Sequence, residues 1–122
     1  NFGARAVAFI DNMAGAYRSA DLVVCRAGAT TIAEVTACGK ACIFIPYPYA
    51  VDDHQRRNAE ALLKKNAGFM LLDRELSGES LARMITDLID NPEKIEEAGQ
   101  NAKNLARLDA AQVIVTEMVK QG

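Results

Sequence analysis

The sequence predicts an α/β domain in which helices join the strands of a parallel sheet. Short apolar or β-branched runs alternate with longer runs of helical periodicity, which is typical of strands connected by crossover helices. The short runs are almost continuously apolar, as expected for strands covered on both faces. After Leu72 the patterns are helical only. We therefore expect a doubly covered parallel sheet followed by a helical C-terminal tail.

Four strands and three helices alternate in the first part of the chain. The strands are expected near Ala6–Ile10, Leu22–Cys25, Cys42–Ile45 and Phe69–Leu72. The intervening helices are expected near Met13–Ala20, Thr30–Cys38 and His54–Asn66. Asp11 can cap the first helix, and Gly39 and Ala67-Gly68 follow the other two, where glycine can take the left-handed conformation that ends a helix. Four strands make a small sheet for this class, so we expect that further strands precede Asn1.

Three more helices are expected after Leu72. Ser77 is a candidate N-cap for a helix over Gly78–Ile89. Pro92 suits the first turn of a helix over Glu93–Leu108, and a last helix is expected over Ala110–Lys120. No linker or repeat divides the sequence, so residues 1–122 are expected to form one domain.

Composition argues against several classes of protein. Half of the 122 residues are apolar and a quarter are charged, which is the balance of a soluble globular domain rather than of a disordered one. No apolar run approaches the roughly 20 residues that span a bilayer, and no secretory signal is recognisable. The net charge of −2 argues against a nucleic-acid surface. Cys25, Cys38 and Cys42 lie among apolar residues, which indicates reduced, buried thiols in a cytosolic protein.

The turn between the second strand and the next helix has the clearest chemistry. Gly28 permits close approach of a ligand, and the N–H groups of Ala29, Thr30 and Thr31 would face an anion at the positive end of the helix. Glu34 lies one turn further on, near the same face, where its carboxylate can accept hydrogen bonds from both hydroxyls of a ribose. The alternative is local: Thr30 caps the helix, and Glu34 is a solvated acid favoured by the helix dipole.

A second polar segment follows the third strand. Two prolines and two tyrosines stiffen this loop, and Asp52 or Asp53 can cap the helix after it. Adjacent residues such as Asp53 and His54 rarely converge on one ion, and the chain has no Asp-x-Asp motif, so no metal is expected. Gln55 can both donate and accept hydrogen bonds, which suits recognition of a neutral sugar or base. Simple solvent exposure of Gln55 is the alternative.

Four segments together resemble the C-terminal domain of the MurG family of N-acetylglucosaminyltransferases. They are Phe9–Met13, Ala20–Glu34, Pro46–Pro48, and Asp53–Gln55 with Asn58-Ala59. The resemblance covers nearly the whole chain and keeps the order and spacing of the motifs. It implies a Rossmann-like domain that forms the C-terminal half of a GT-B glycosyltransferase. The first strand or strands of that domain and the whole N-terminal acceptor domain would then lie outside the 122 residues.

The resemblance also implies a reaction. It is the transfer of N-acetylglucosamine from UDP-N-acetylglucosamine to lipid I, with inversion at the anomeric carbon, which forms lipid II in peptidoglycan synthesis and needs no cofactor. This domain would bind the donor. The N-terminal domain would bind lipid I, contact the membrane and carry the catalytic base, so that the isolated domain is inactive. The whole protein would be a peripheral enzyme on the cytoplasmic side of the cell membrane.

Site residues follow from the same resemblance, position by position. The backbone of Ile10 resembles the position that contacts uracil. The donor-binding segment of the family is matched by Ala29, Thr30, Thr31, Ile32, Ala33 and Glu34. The resemblance places the amides and hydroxyls of this segment near the diphosphate and Glu34 on the ribose. Gln55 resembles the glutamine that contacts the donor sugar. Gly28, in the turn before this segment, and His54, for a direct contact with the sugar, are further candidates, although some members of the family carry glutamine at the position of His54.

Two other functions stay open at this point. One is a standalone donor-binding subunit that docks on a membrane partner, as in the split transferase of dolichol-linked glycan synthesis. The other is a non-enzymatic α/β module that binds partners through its helical tail. UDP-N-acetylglucosamine 2-epimerase, a further GT-B relative, fits the motifs less well.

Overall fold

The computed structural model describes residues 7–10, 20–48 and 53–121, with side chains for Val7, 20–48 and 53–106. Within these residues the strands are β1 (Val7–Ile10), β2 (Leu22–Cys25), β3 (Ala41–Phe44) and β4 (Phe69–Met70). They form one sheet in the order β1-β2-β3-β4, and each neighbouring pair is parallel. The predicted parallel sheet is confirmed, with β4 shorter than expected.

The helices of this part of the chain are α1 (Ala29–Ala37), α2 (His54–Leu63), α3 (Gly78–Ile89) and α4 (Pro92–Gln121). A 3₁₀ turn, Asp73–Glu75, follows β4. The helix predicted near Met13–Ala20 and its cap Asp11 fall on residues 11–19, which lie outside the described residues, and Ala20 itself is not helical. No helix among the described residues is both long and apolar enough to cross a membrane.

The predicted division of the C-terminal tail into two helices is wrong. Glu93–Leu108 and Ala110–Lys120 belong to the single helix α4. The residue between them, Asp109, costs a helix at most about 0.7 kcal/mol relative to Ala. Neither proline nor a second glycine follows Gly99 before the helix ends at Gln121, so the backbone of α4 continues without a break.

Of the predicted helix caps Gly39, Ser77 and Gly68, the first two are confirmed and the last is wrong. Gly39, after α1, takes the expected left-handed conformation with φ of 67°. Ser77 caps α3 as expected, because the Ser80 amide donates to its hydroxyl at 3.0 Å. After α2, however, the left-handed residue is Asn66, with φ of 55°, rather than Gly68. Asparagine tolerates this conformation better than other side chains do, so no glycine is needed there.

Two apolar layers cover the sheet, one on each face. The first contains alternate residues of β2 and β3 packed against α1 and α2: Val23, Cys25, Val35, Cys42, Phe44, Ala59 and Leu62. The second contains the other residues of the same strands packed against α3: Leu22, Val24, Ala41, Ile43, Ile85 and Leu88. This alternation follows from the period of two along a strand.

Helix α4 connects the two layers. Ile95 and Ala98 pack in the second layer, whereas Ala102 packs in the first. A Cβ at Gly99 would lie 3.6 Å from the amide nitrogen of Ala41, the first residue of β3. The helix therefore passes the amino end of β3.

Candidate functional site

The candidate site lies at the carboxyl ends of β2 and β3. Two loops leave the sheet there: the β2–α1 loop, residues 26–28, and the β3–α2 loop, which is described for residues 45–48 and at Asp53. Ligands of open parallel sheets bind at this edge, in the crevice between such loops. Ile10 is the last residue of β1 and pairs in register with Cys25, so its backbone lies at the same edge.

The first turn of α1 faces this edge without a side-chain cap. Gly28 occupies the N-cap position in an extended conformation, with φ of −68°, and no side-chain hydrogen bond among the described residues caps the helix. The alternative that Thr30 caps the helix is therefore wrong, since Thr30 lies inside α1. The amides of Ala29, Thr30 and Thr31 have no partner within a helix that begins at Ala29, and they point toward an anion placed beyond Gly28.

The candidate residues of α1 divide between two environments. Thr30 and Glu34 are one turn apart, and Glu34 is half-buried. Ile32 packs against the first apolar layer. Ala29, Ile32 and Ala33 also line an apolar groove of about 450 Å³ between α1, α2 and α4. The side chains of Ile32 and Ala33 thus face the apolar layer or the groove. Only the backbone of these two residues is available to contact a ligand at the start of α1.

Gln55, in the first turn of α2, joins the two loops. Its side-chain oxygen accepts hydrogen bonds from the Tyr47 amide at 2.8 Å and from the Ala27 amide at 3.2 Å. The alternative that Gln55 is only a solvent-exposed residue is wrong, because its side chain is half-buried and bonded to both loops. Its Nε2 lies 3.8 Å from the place where a Cβ on Gly28 would be, so the amide group reaches the start of α1.

Asn58, one turn after Gln55, adds a third bond to the same loop. Its Nδ2 donates to the Ala27 carbonyl at 3.2 Å. The amide and the carbonyl of Ala27 are therefore both held by side chains of α2. Asn58 was part of the family resemblance but not a predicted site residue, and its role here is to hold the β2–α1 loop.

An ion pair that sequence reasoning missed braces the other side of the β2–α1 loop. Nη1 of Arg26 lies 2.7 Å from Oδ1 of Asp73, in the 3₁₀ turn after β4. The same nitrogen donates to the carbonyls of Ile45 at 3.2 Å and Pro46 at 3.5 Å. The guanidinium carbon lies 5.6 Å from the centre of the Tyr47 ring. No local pattern in the sequence links Arg26 to a residue 47 positions away.

The described residues at the start of α2 include two of a type that can bind metal ions, Asp53 and His54. Asp53 takes the left-handed conformation before the helix, with φ of 56°, and makes no capping bond, so its predicted capping role is wrong. Its carboxylate instead lies 3.5 Å from Arg56. His54 is exposed, and Asp52 lies outside the described residues. In the described ranges, no group of three His, Cys, Asp or Glu side chains is placed to bind a metal ion.

Two buried thiols lie below the site, in the first apolar layer. The sulfur atoms of Cys25 and Cys42 are 3.1 Å apart, on neighbouring strands. Burial, with a contribution from Cys25, raises the pKa of the Cys42 thiol well above its ordinary value. Both cysteines are free and buried, as predicted, but Cys38 is exposed in the turn after α1, so the predicted burial is wrong for that residue. The pair is therefore part of the apolar core rather than a nucleophile of the site.

Comparison with known proteins identifies the domain. Residues 2–114 match the family model described as the glycosyltransferase family 28 C-terminal domain. The chain belongs to this family. The resemblance seen in the sequence is thereby confirmed, and the two loops described above are those of a family 28 domain.

Curated relatives of this family 28 domain share one name. The chain is 72% identical over 120 residues to the UDP-N-acetylglucosamine–N-acetylmuramyl-(pentapeptide) pyrophosphoryl-undecaprenol N-acetylglucosamine transferase of Geotalea uraniireducens (strain Rf4). It is 70% identical over 118 residues to the protein of that name from Geobacter sulfurreducens. These matches cover 98% and 97% of this chain but only 33% and 32% of the relatives. The chain thus spans about a third of their length.

Solved structures confirm the predicted fold class. The crystal structure of Acinetobacter baumannii MurG is 41% identical and has a TM-score of 0.67, covering 79% of this chain and 27% of that one. The glycotransferase of kitacinnamycin is only 18% identical but has a TM-score of 0.65 over 85% of this chain and 26% of its own, which shows the fold alone. The domain has the Rossmann-like architecture of GT-B glycosyltransferases, in agreement with the prediction.

Proposed function

We propose that this family 28 domain binds the donor, UDP-N-acetylglucosamine, for an inverting transferase that converts lipid I to lipid II. One arrangement carries the proposal: the uncapped start of α1, Glu34 one turn inside the same helix, and Gln55 held against the loop that precedes it. The name of the curated relatives, which contains this donor sugar and a lipid-linked acceptor, supports the same substrates.

Each part of the donor has a matching chemical group at the site. The diphosphate suits the amides of Ala29, Thr30 and Thr31, because a helix N-terminus offers unpaired N–H groups and a positive dipole. These groups, with the threonine hydroxyls, would stabilise the negative charge that develops on departing UDP without a metal ion. Glu34 would accept hydrogen bonds from the ribose hydroxyls.

The remaining contacts concern the sugar and the base. The oxygen of Gln55 is already bonded to two backbone amides, so its NH₂ group is the part that would donate to the N-acetylglucosamine. His54, exposed beside it, is an additional candidate for the sugar. The backbone of Ile10, at the same edge of the sheet, would contact uracil.

The rest of the reaction is proposed to take place on an N-terminal acceptor domain, in the part of the relatives that this chain does not match. That domain would bind lipid I, contact the cytoplasmic face of the membrane and supply the base that deprotonates the acceptor hydroxyl. On this proposal the domain described here binds donor but does not catalyse transfer alone, and the whole enzyme is a peripheral membrane protein.

Calorimetric titration of the domain with UDP, UDP-N-acetylglucosamine and UDP-glucose tests the proposal. We expect UDP-N-acetylglucosamine to bind most tightly and to stabilise the fold by about 2.7 kcal/mol at a hundredfold excess over Kd. Glu34→Ala should lower affinity for all three ligands about 10- to 100-fold, since it removes hydrogen bonds to a charged group. Glu93→Ala is the matched control, because Glu93 is an exposed acid in the first turn of α4.

Two outcomes would contradict the proposal in different ways. Equal affinities of wild type and Glu34→Ala would exclude the ribose role of Glu34. If the wild type bound none of the three ligands and showed no shift in melting temperature with UDP, the donor-domain proposal itself would be wrong, and the non-enzymatic module would be the better description.

A further inference from the structure

We infer that Arg26 and Asp73 are positioning residues that hold the two loops of the candidate site at a fixed separation. The contacts of Arg26 and Asp73 do not depend on the proposed function, whereas the consequence for donor binding rests on it. Neither residue is among the predicted donor contacts. They would act through Gln55 and the β2–α1 loop.

A single nitrogen of Arg26 connects three segments that follow three different strands. Nη1 comes from the β2–α1 loop, the carbonyls of Ile45 and Pro46 belong to the β3–α2 loop, and the carboxylate of Asp73 belongs to the turn after β4. Since these strands are neighbours in the order β2-β3-β4, the contacts cross the carboxyl edge of the sheet.

A second bridge between the same two loops lies next to the first. Gln55 accepts hydrogen bonds from Ala27, the residue after Arg26, and from Tyr47, the residue after Pro46. The two loops are therefore joined twice, once by the donating side chain of Arg26 and once by the accepting oxygen of Gln55. The bonds form a closed ring through adjacent residues, so a shift of one loop strains both bridges.

Asp73 orients the Arg26 side chain within this ring of hydrogen bonds. The Arg26 side chain is 41% exposed, and its long stem could turn into solvent. The carboxylate of Asp73, 33% exposed, holds Nη1 on the side of the Ile45 and Pro46 carbonyls. The Tyr47 ring beside the guanidinium favours the same orientation, because cations are attracted to aromatic faces.

The consequence concerns the distance between the start of α1 and Gln55. If Arg26 released the Ile45 and Pro46 carbonyls, the adjacent Tyr47 amide would lose its fixed position relative to Gln55. The NH₂ group of Gln55 would then be less well placed over Gly28. Preorganised contacts of this kind raise affinity by reducing the ordering that binding requires.

A double-mutant cycle tests this inference, with Arg26→Met, Asp73→Ala and the combined variant. Arg83→Met is the matched control, because it breaks an ion pair of similar length, 2.9 Å, between two exposed residues of α3. Two measurements are made on each folded variant: exchange of the Ala27 and Tyr47 amides without ligand, and the Kd for UDP-N-acetylglucosamine.

We expect faster exchange of both amides in the Arg26 and Asp73 variants and no change in the control. Affinity should fall about fivefold for Asp73→Ala, which is the upper end of the range for a partly exposed ion pair. It should fall about tenfold for Arg26→Met, because this variant also loses the bonds to the Ile45 and Pro46 carbonyls. The combined variant should lose no more than Arg26→Met alone, since Asp73 acts only through Arg26.

Three results would overturn the inference. Unchanged amide exchange in Asp73→Ala would overturn the inference even if the wild type bound no donor. This result therefore distinguishes failure of the inference from failure of the proposed function. Wild-type donor affinity in Asp73→Ala would do so as well. Losses that simply add in the combined variant would show that Asp73 does not act through Arg26.

Discussion

The side-chain oxygen of Gln55 lies 3.2 Å from the backbone nitrogen of Ala27, a residue 28 positions earlier in the chain. The same oxygen lies 2.8 Å from the nitrogen of Tyr47. A carbonyl oxygen has two lone pairs, so both are in use before any ligand arrives. The oxygen of Gln55 therefore has a structural role, and its NH₂ group can donate hydrogen bonds to a ligand.

This division of roles predicts different effects for two substitutions of Gln55. A glutamate carboxylate can still accept both amide bonds, so Gln55→Glu should change the free energy of unfolding by less than about 1 kcal/mol. Gln55→Leu leaves the Ala27 and Tyr47 amides without this acceptor and should cost about 1–3 kcal/mol. Urea denaturation of both variants measures the difference.

Measurements of ligand binding distinguish the role of the Gln55 oxygen from that of its NH₂ group. Both variants lack the NH₂ group, so both should bind UDP-N-acetylglucosamine at least about tenfold more weakly, which corresponds to about 1.4 kcal/mol. Equal destabilisation by Gln55→Glu and Gln55→Leu would contradict the structural role of the oxygen. Wild-type donor affinity in Gln55→Glu would contradict the role of the NH₂ group.

Much of this fold could be predicted from local patterns. The strands β2 and β3 were recognisable because both of their faces are buried, which leaves continuous apolar runs such as Leu22–Cys25. The cap of α3 was recognisable because Ser77 stands at the right place before an amphipathic run. The start of α1 was recognisable because Gly28 and two threonines come within six residues of the end of a strand.

The parts that could not be predicted depend on contacts between distant segments. The Arg26–Asp73 pair exists only because β2, β3 and β4 are neighbours, which no local pattern specifies. The end of α2 was misassigned because Asn66 takes the left-handed conformation that the sequence suggested for Gly68. What Gly68 provides is space, since a Cβ there would lie 2.8 Å from the Phe44 ring.

Gly28 gives a prediction that separates folding from binding. Its φ of −68° is open to any residue, and within the described part of the chain a Cβ would meet only Nε2 of Gln55, at 3.8 Å. Alanine is a poorer N-cap residue than glycine, so Gly28→Ala should lower the free energy of unfolding, but by no more than about 1 kcal/mol. The added methyl group would occupy space in front of the first turn of α1 and should weaken UDP binding about tenfold. Melting temperature and calorimetry check the two halves, and unchanged UDP affinity would show that the ligand does not approach this residue.

Gly99 gives the opposite prediction, because its lack of a side chain serves folding. A Cβ there would lie 2.6 Å from the Gly39 carbonyl oxygen, which is backbone and cannot turn away. Alanine is favoured over glycine inside a helix by about 1 kcal/mol. Forcing α4 away from the turn after α1 costs about 1–3 kcal/mol or more, so Gly99→Ala should destabilise the domain overall.

Gly78 provides the control for Gly99. It is also helical, at the first position of α3, but no described residue has an atom within 4 Å of an added Cβ. Gly78→Ala should leave stability unchanged or raise it by up to about 1 kcal/mol. If urea denaturation showed the same effect for both alanine variants, close packing of α4 against Gly39 would not be the reason for glycine at position 99.

The three cysteines should differ in reactivity in the folded protein. Cys38 is exposed, whereas Cys25 and Cys42 are buried in the first apolar layer. Iodoacetamide should therefore label Cys38 under native conditions and the other two only after denaturation, as read by mass spectrometry. Cys38→Ala is the control and should show no native labelling. Rapid native labelling of Cys42 would contradict its burial.

Cys42 also predicts a dependence of stability on pH. Burial raises the pKa of its thiol, whose ordinary value is 9.0. Above that value the unfolded chain ionises at Cys42 while the folded domain keeps its proton, so the unfolded state binds fewer protons and stability falls as pH rises. The slope from this one group is at most about 1.4 kcal/mol per pH unit. Urea denaturation above pH 9.0 should show a steeper loss for wild type than for Cys42→Ala, and parallel curves would mean that Cys42 ionises equally in both states.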